Sequence, residues 1–147
     1  MFELTISKQI IISQSIEKIF SYISNYTNDV YWRDGVIEMK QIPDGKISVG
    51  TETFETIKFM GKKLLVKAKV TEYEINKRSA FKSVDAPIKT WGYREVKDAG
   101  IGTVEVVYSL SANLTGIYSL FNNSIKKMYT KRIDTDLKKL KSILEQK

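Results

Sequence analysis

The chain has 147 residues, no cysteine and no histidine, with a formal charge of +7 from 24 Lys/Arg against 17 Asp/Glu. That length fits a single domain over residues 1–147, and it buries roughly 70% of its unfolded surface without help from a disulfide or a metal. The two missing residue types exclude thiol catalysis, Ser-His-Asp and Cys-His triads, thiolate or histidine zinc sites and the two-His-one-carboxylate iron site, so no metal and no cofactor is expected.

The opening, MFELTISKQIIIS, has no basic n-region, and its longest apolar run is Ile10-Ile11-Ile12. It reads as neither a signal peptide nor a membrane span, and a cytoplasmic location is expected. Phe2, Leu4 and Ile6 alternate with polar residues, which predicts a strand over Phe2–Ile12. Ser13 then caps a helix whose apolar face is Ile16, Ile19, Phe20 and Ile23, with Glu17 in its first turn. Asn25–Trp32 reads as a second short helix or turn, since its Asn and Asp residues favour turns over long helices.

Six further strands follow at close spacing. Gly35–Ile42 ends at Pro43-Asp44-Gly45, and Gly50–Phe59 passes through Met60-Gly61-Lys62 into Lys63–Tyr73. Asn76-Lys77-Arg78 turns the chain into Ser79–Val84, and Asp85-Ala86-Pro87 turns it into Ile88–Lys97. Asp98-Ala99-Gly100 is a hairpin signal before Thr103–Ala112. Short connections make consecutive strands antiparallel neighbours. Gly92 inside a strand suggests a bulge or bend.

Gly116–Glu145 is the only long segment with helical periodicity. Ile117, Phe121, Ile125, Tyr129, Ile133, Leu137, Leu140 and Leu144 draw one apolar stripe. A single helix of that length would run ~45 Å and must lie along something extended. The expected architecture is therefore α+β: a curved antiparallel sheet of about seven strands, in the order β-α-α-β6-α, wrapped around a long C-terminal helix. Residues 116–147 also carry +5 of the +7 charge, on a helix face that includes Lys126, Lys127, Lys131, Arg132, Lys138, Lys139 and Lys141. That face is either simply solvated or a weak contact for anionic surfaces through Lys127, Lys131 and Lys138.

Several landmarks in this order resemble the superfamily of START-like, polyketide-cyclase-like and birch-allergen-like proteins, the helix-grip fold. They are the IIISQSIEKIFSYIS opening, with Gln14 where proline is common and Ile19-Phe20 at a Val-Phe position; Trp32; Val49-Gly50-Thr51; Val70-Thr71-Glu72-Tyr73, followed by Ile75 where proline is common; Gly102-Thr103; and LKKLKSILE at Leu137–Glu145. The resemblance covers essentially the whole chain. It implies a cavity between the sheet and the long helix for a small hydrophobic or amphipathic molecule such as a lipid, a quinone or an aromatic polyketide. By the same analogy Lys8 and Arg33 lie near the cavity mouth.

Strand parity and the aromatic set supply candidate ligand-binding residues: Trp32, Phe54, Phe81, Trp91, Tyr93, Val106, Tyr108, Phe121, Ile125 and Met128. The same side chains also serve plain core packing. Trp91 and Tyr93 share one face of their strand, and Gly92 and Arg94 the other; if the aromatics point inward, so does Glu95. Glu55, Glu72 and Arg94 are further charged strand residues that could face inward. Ligand binding is the expected function. The alternatives are a metal-free cyclase or dehydratase, with Glu95, Arg94 and Tyr93 as catalytic candidates, and a macromolecule-binding module that uses the basic helix face.

Overall fold

In the computed structural model, which describes residues 2–146, the alternating stretches become β1 (Phe2–Ile12), β2 (Val36–Ile42), β3 (Glu52–Phe59), β4 (Lys62–Glu74), β5 (Arg78–Asp85), β6 (Lys89–Gly100) and β7 (Thr103–Leu114). They form one curved antiparallel sheet in the order β1-β7-β6-β5-β4-β3-β2. Each strand from β2 to β7 pairs with its sequence neighbour, as short connections dictate. β7 returns to pair with β1, which forms the edge opposite β2, from Phe2↔Leu114 to Ile12↔Val104.

Between β1 and β2 run α1 (Ile16–Ser24), one 3-10 turn (Tyr26–Asn28) and α2 (Asp29–Trp32). The cap of α1 is Ser15, two residues later than the Ser13 expected, and its hydroxyl accepts the Lys18 N–H at 3.3 Å. The long C-terminal helix is also shorter than its periodicity suggested. It is divided into α3 (Ile117–Leu120) and α4 (Asn122–Leu144), with Phe121 off helical dihedrals between them. Asn122, Asn123 and Ser124 explain the break, because their side chains compete for the backbone and favour helix ends. The Asn122 amide does so here, donating to the Ser119 carbonyl at 2.7 Å.

The inner face of the sheet is apolar because every second residue is. Leu4, Ile6 and Ile12 of β1 and Val104 and Val106 of β7 meet Ile19, Phe20 and Ile23 of α1 and Ile125, Ile133, Leu137 and Leu140 of α4. A second cluster under β2, β3 and β4 holds Val36, Met39, Ile57 and Val70. α4 is fastened through its C-terminal half. Asp136 accepts the Asp34 N–H at 2.9 Å, and Lys141 Nζ reaches the Ile11 carbonyl at 2.6 Å. Among the described residues no helix is long and apolar enough to cross a membrane.

Gly92 is not at a bulge. Its register is continuous on both sides, Phe81↔Gly92 and Gly92↔Leu110. What it provides is close approach: a Cβ there would lie 2.2 Å from the Ser109 carbonyl oxygen and 3.1 Å from the Phe81 ring. Backbone atoms cannot yield that much. Gly92→Ala is therefore expected to lower unfolding stability by about 2 kcal/mol or more, read as a drop in urea midpoint at unchanged slope.

Candidate ligand-binding cavity

The sheet and α4 do not close on each other completely. Leu4, Ile57, Leu64, Val66, Leu110 and Leu114 supply apolar wall, Ile125 and Tyr129 of α4 supply the roof, and Arg33, Glu55 and Arg94 gather along one side. The space open to the centres of water-sized molecules is about 100 Å³. That is well below the roughly 300–1,000 Å³ of ordinary small-molecule sites and closer to the size that takes one ring.

The charged side is one neutral chain of ion pairs. Arg94 Nη1 donates to Asp29 Oδ1 at 2.8 Å and to the Ile23 carbonyl at 2.8 Å, and its Nη2 donates to Asp29 Oδ2. Arg33 Nη1 donates to Asp29 Oδ2 at 2.9 Å and to Glu55 Oε2 at 3.0 Å. The order is thus Arg94, Asp29, Arg33, Glu55. Bidentate pairing of this kind is the strongest that carboxylates and guanidinium groups make. Around Arg94 stand the rings of Tyr26, Trp32 and Tyr108, with centroids 4.5, 5.0 and 5.4 Å from its guanidinium carbon. The Tyr26 hydroxyl in turn shares a 2.7 Å hydrogen bond with Ser79.

Local sequence explains the placement. Asp29 opens α2, and Arg33 follows one turn later, so the two meet as an i, i+4 pair. Thr53, Glu55, Ile57 and Phe59 share one face of β3, and the apolar pair Ile57 and Phe59 fixes that face inward. Arg94 lies between inward Gly92 and Val96 on β6, and at the Ile23 carbonyl its cation meets the negative end of α1.

Burial opposes the charge on Arg94, but the Asp29 carboxylate, with smaller help from Tyr26 and Tyr108, reverses that effect and the guanidinium holds its proton more tightly than usual. Burial likewise opposes Arg33, and Glu55 leads the groups that reverse it. Burial raises Tyr26, Tyr108 and Tyr129 above the ordinary phenol value, so all three are neutral donors near pH 7.

Of the residues expected from sequence, Phe81, Ile125 and Arg94 line the cavity, as does Arg33. Trp32, Val106 and Tyr108 are buried in the packed core beside it, Met128 is half-buried against that core, and Phe121 is exposed. Four expectations of inward orientation are corrected. Phe54 is on the outer face beneath Lys67. Trp91, Tyr93 and Glu95 are on the outer face of β6, where Arg78 stacks on Tyr93 at 3.7 Å and approaches Glu95 at 3.9 Å. Val96 sits in the core and sets that parity, so Arg94 faces in and the aromatic pair faces out. Glu72 is also exposed and paired with Arg78, while Lys8 is half-buried on β1 away from the cavity wall. Asp29, Tyr26 and Thr53 were not anticipated. The i, i+4 spacing of Asp29 and Arg33 was the available signal.

Asp136 holds the residue after Arg33. Burial pushes its carboxyl up from 3.8 to about 6, opposed by the Asp34 N–H it accepts.

No family model and no curated protein matches the chain. Solved structures do. A protein of Thermus thermophilus matches at 17% identity over 95% of each chain, with a TM-score of 0.81. The Zhui aromatase/cyclase of Streptomyces sp. R1128 matches at 7% identity over 98% of this chain and 94% of that one, also at 0.81. A START superfamily protein of Mycobacterium smegmatis matches at 15% identity over 96% and 97%, at 0.75. At these identities the likeness is one of fold.

Two outcomes follow. Asp29→Ala strands Arg94 in the core and is expected to cost about 3–5 kcal/mol, whereas the double change Asp29→Leu with Arg94→Met recovers much of the loss; chemical denaturation of both variants checks this. For Asp136, a carboxyl whose folded pKa lies above its unfolded value binds more protons when folded, so its contribution to stability falls as pH rises from 4 through 6. Asp136→Asn should therefore gain on the wild type by roughly 2 kcal/mol between pH 4 and pH 7, read as the difference between their two stability curves.

Proposed function

We propose that this chain, which has the helix-grip fold of START-like proteins, binds a small, flat, mainly apolar molecule that carries one oxygen-rich end. The observation behind this reading is an apolar cavity between the sheet and α4 with its charge confined to one side. The body of such a ligand would lie against Leu64, Val66, Leu110 and Leu114. Its carbonyl, phenol or carboxyl oxygens would turn to Arg33, Arg94 and the Tyr129 phenol. Two features support the polar end. Both guanidinium groups are fixed by carboxylates before any ligand arrives, which lowers the cost of ordering them. The Nε–H of Arg94 is buried without an acceptor among the described residues, and such a group favours a ligand that brings one. A volume of about 100 Å³ favours a single ring over fused rings or a long-chain lipid.

A second reading is supported by Glu55, and by the fold shared with an aromatase/cyclase. Glu55 faces the cavity beside Arg33, 3.0 Å away. A carboxylate beside a fixed cation and neutral phenols can take a proton from the carbon next to a carbonyl, and the guanidinium can then stabilise the enolate oxygen. Ring closure and loss of water would follow from that intermediate. Tyr93 and Glu95 have no part in this reading, because they face outward.

Native mass spectrometry of freshly purified protein, followed by solvent extraction, tests the first reading. A bound aromatic or quinone-like molecule is expected, and Leu110→Trp should abolish its retention while the fold persists. A clean apo mass, together with no thermal shift across a panel of aromatics and lipids, would overturn binding. If a polyketone is bound and converted, Glu55→Gln should remove turnover and keep binding. Loss of binding alone would return Glu55 to a purely structural role.

A further inference from the structure

We infer that the end of the molecule formed by the β3–β4 turn, α3 and the first turns of α4 is a docking surface for the anionic face of a lipid bilayer. The inference goes beyond the cavity reading and does not depend on which ligand the cavity takes.

Four large apolar side chains stand out from this end: Met60 is 53% exposed, Ile117 64%, Leu120 79% and Phe121 48%. They belong to one place. Phe59, which lines the cavity, packs edge-on against Tyr118 at 5.7 Å and stacks on Tyr129 at 5.8 Å. Met60 is the next residue after Phe59, and Ile117 immediately precedes Tyr118. Single exposed apolar residues are ordinary, but a group of four at a cavity edge is not.

The charges around this tip are mostly of one sign, the exposed Asp34 carboxylate beside Lys58 being paired with Arg132 at 3.9 Å. Lys58, Lys62 and Lys63 come from the hairpin, and Lys126, Lys127 and Lys131 from α4. All six are exposed, and among the described residues none of them enters an ion pair. The sequence contains no Asp or Glu from Thr56 to Thr71, nor from Val106 to Ile133. Elsewhere on the same helix the pattern differs, since Lys138 pairs with Asp134 at 3.3 Å and Lys141 with Glu145 at 2.8 Å.

Backbone geometry adds an independent observation. Met60 and Gly61 form the two-residue turn of the hairpin with φ of +50° and +79°. Such turns favour Asn-Gly, and a methionine in the left-handed region is uncommon. Stability alone would select against Met60, so an outlier here points to use of its side chain.

Apolar side chains inside a ring of lysines match one partner chemistry. A bilayer offers an anionic surface to the cations and hydrocarbon just beneath it to the apolar tip. A nucleic acid would use the lysines and leave Leu120 and Ile117 unmatched. The position also places the cavity rim, through Phe59 and Tyr129, next to the lipid.

Co-sedimentation with phosphatidylcholine vesicles, with and without phosphatidylglycerol, tests the inference on the full chain. Binding is expected only with the anionic lipid, weakened but not abolished by salt. Lys126→Glu with Lys127→Glu should reduce partitioning by about fivefold or more per lysine, and Leu120→Asp with Phe121→Ser by about tenfold or more. Lys138→Glu with Lys139→Glu, at the far end of α4, should leave it unchanged. These positions are exposed, and Phe121→Ser improves the capping of α4, so circular dichroism should report an intact fold. No binding to anionic vesicles, or binding indifferent to the Leu120 and Phe121 changes, overturns the proposal. Duplex DNA binding of equal strength, sensitive to the lysine changes alone, also overturns it in favour of a general polyanion contact. Ligand retention measured without vesicles is a separate readout, so failure here leaves the cavity reading standing.

Discussion

A guanidinium in the core decides how the first third of the chain meets the sheet. Arg94 binds the last turn of α1 through the Ile23 carbonyl and the first residue of α2 through Asp29, while its own strand is central to the sheet. Neither ion is stable alone in that environment, since taking a charge out of water costs several kcal/mol even after relaxation. Arg94 is therefore tolerated there only with Asp29, whose carboxylate is shared with Arg33. The three surrounding rings exclude water and add cation–π attraction. The pair is weak evidence of added stability and strong evidence of a fixed geometry. It specifies one way to seat the two short helices, and with them Arg33.

The cavity is what remains after these constraints are met. Gly92 lets β6 and β7 approach under the Phe81 ring, while α4 is held at the Arg33–Gly35 turn by Asp136 and at β1 by Lys141. Between those two fastenings and the helix start, the roof is carried by Ile125 and Tyr129. The space thus lies under the less tightly held part of the helix, next to the break at Phe121. Rigidity and access are divided along one element.

The fold was legible because it rests on periodicity. Alternation in Phe2–Ile12 and Thr103–Ala112, turn residues at Pro43-Asp44-Gly45 and Asp98-Ala99-Gly100, and the spacing from Ile125 to Leu140 each leave a local trace. The break at Phe121 was also written there, in Asn122-Asn123-Ser124, but the apolar stripe continued across it. The candidate site was less legible because inward orientation on β6 is decided by tertiary contact. Trp91 and Tyr93 outweigh Gly92, Arg94 and Val96 in apolar surface, so a reading by bulk turns the strand the wrong way. A buried arginine reverses it, and nothing local tells a buried arginine from an exposed one. Its partner Asp29 is 65 residues away.

The two tryptophans occupy opposite environments, which gives the molecule a built-in optical contrast. Trp32 is sealed in the core beside Arg94 and Tyr108, and Trp91 looks out from the far face of the sheet. Their emission should separate into a blue component that an aqueous quencher does not reach and a red one that it does. A molecule entering the cavity disturbs the first alone, while anything settling on the convex side disturbs the second. The intrinsic fluorescence of the unlabelled chain can thus tell which side of its own sheet has been touched.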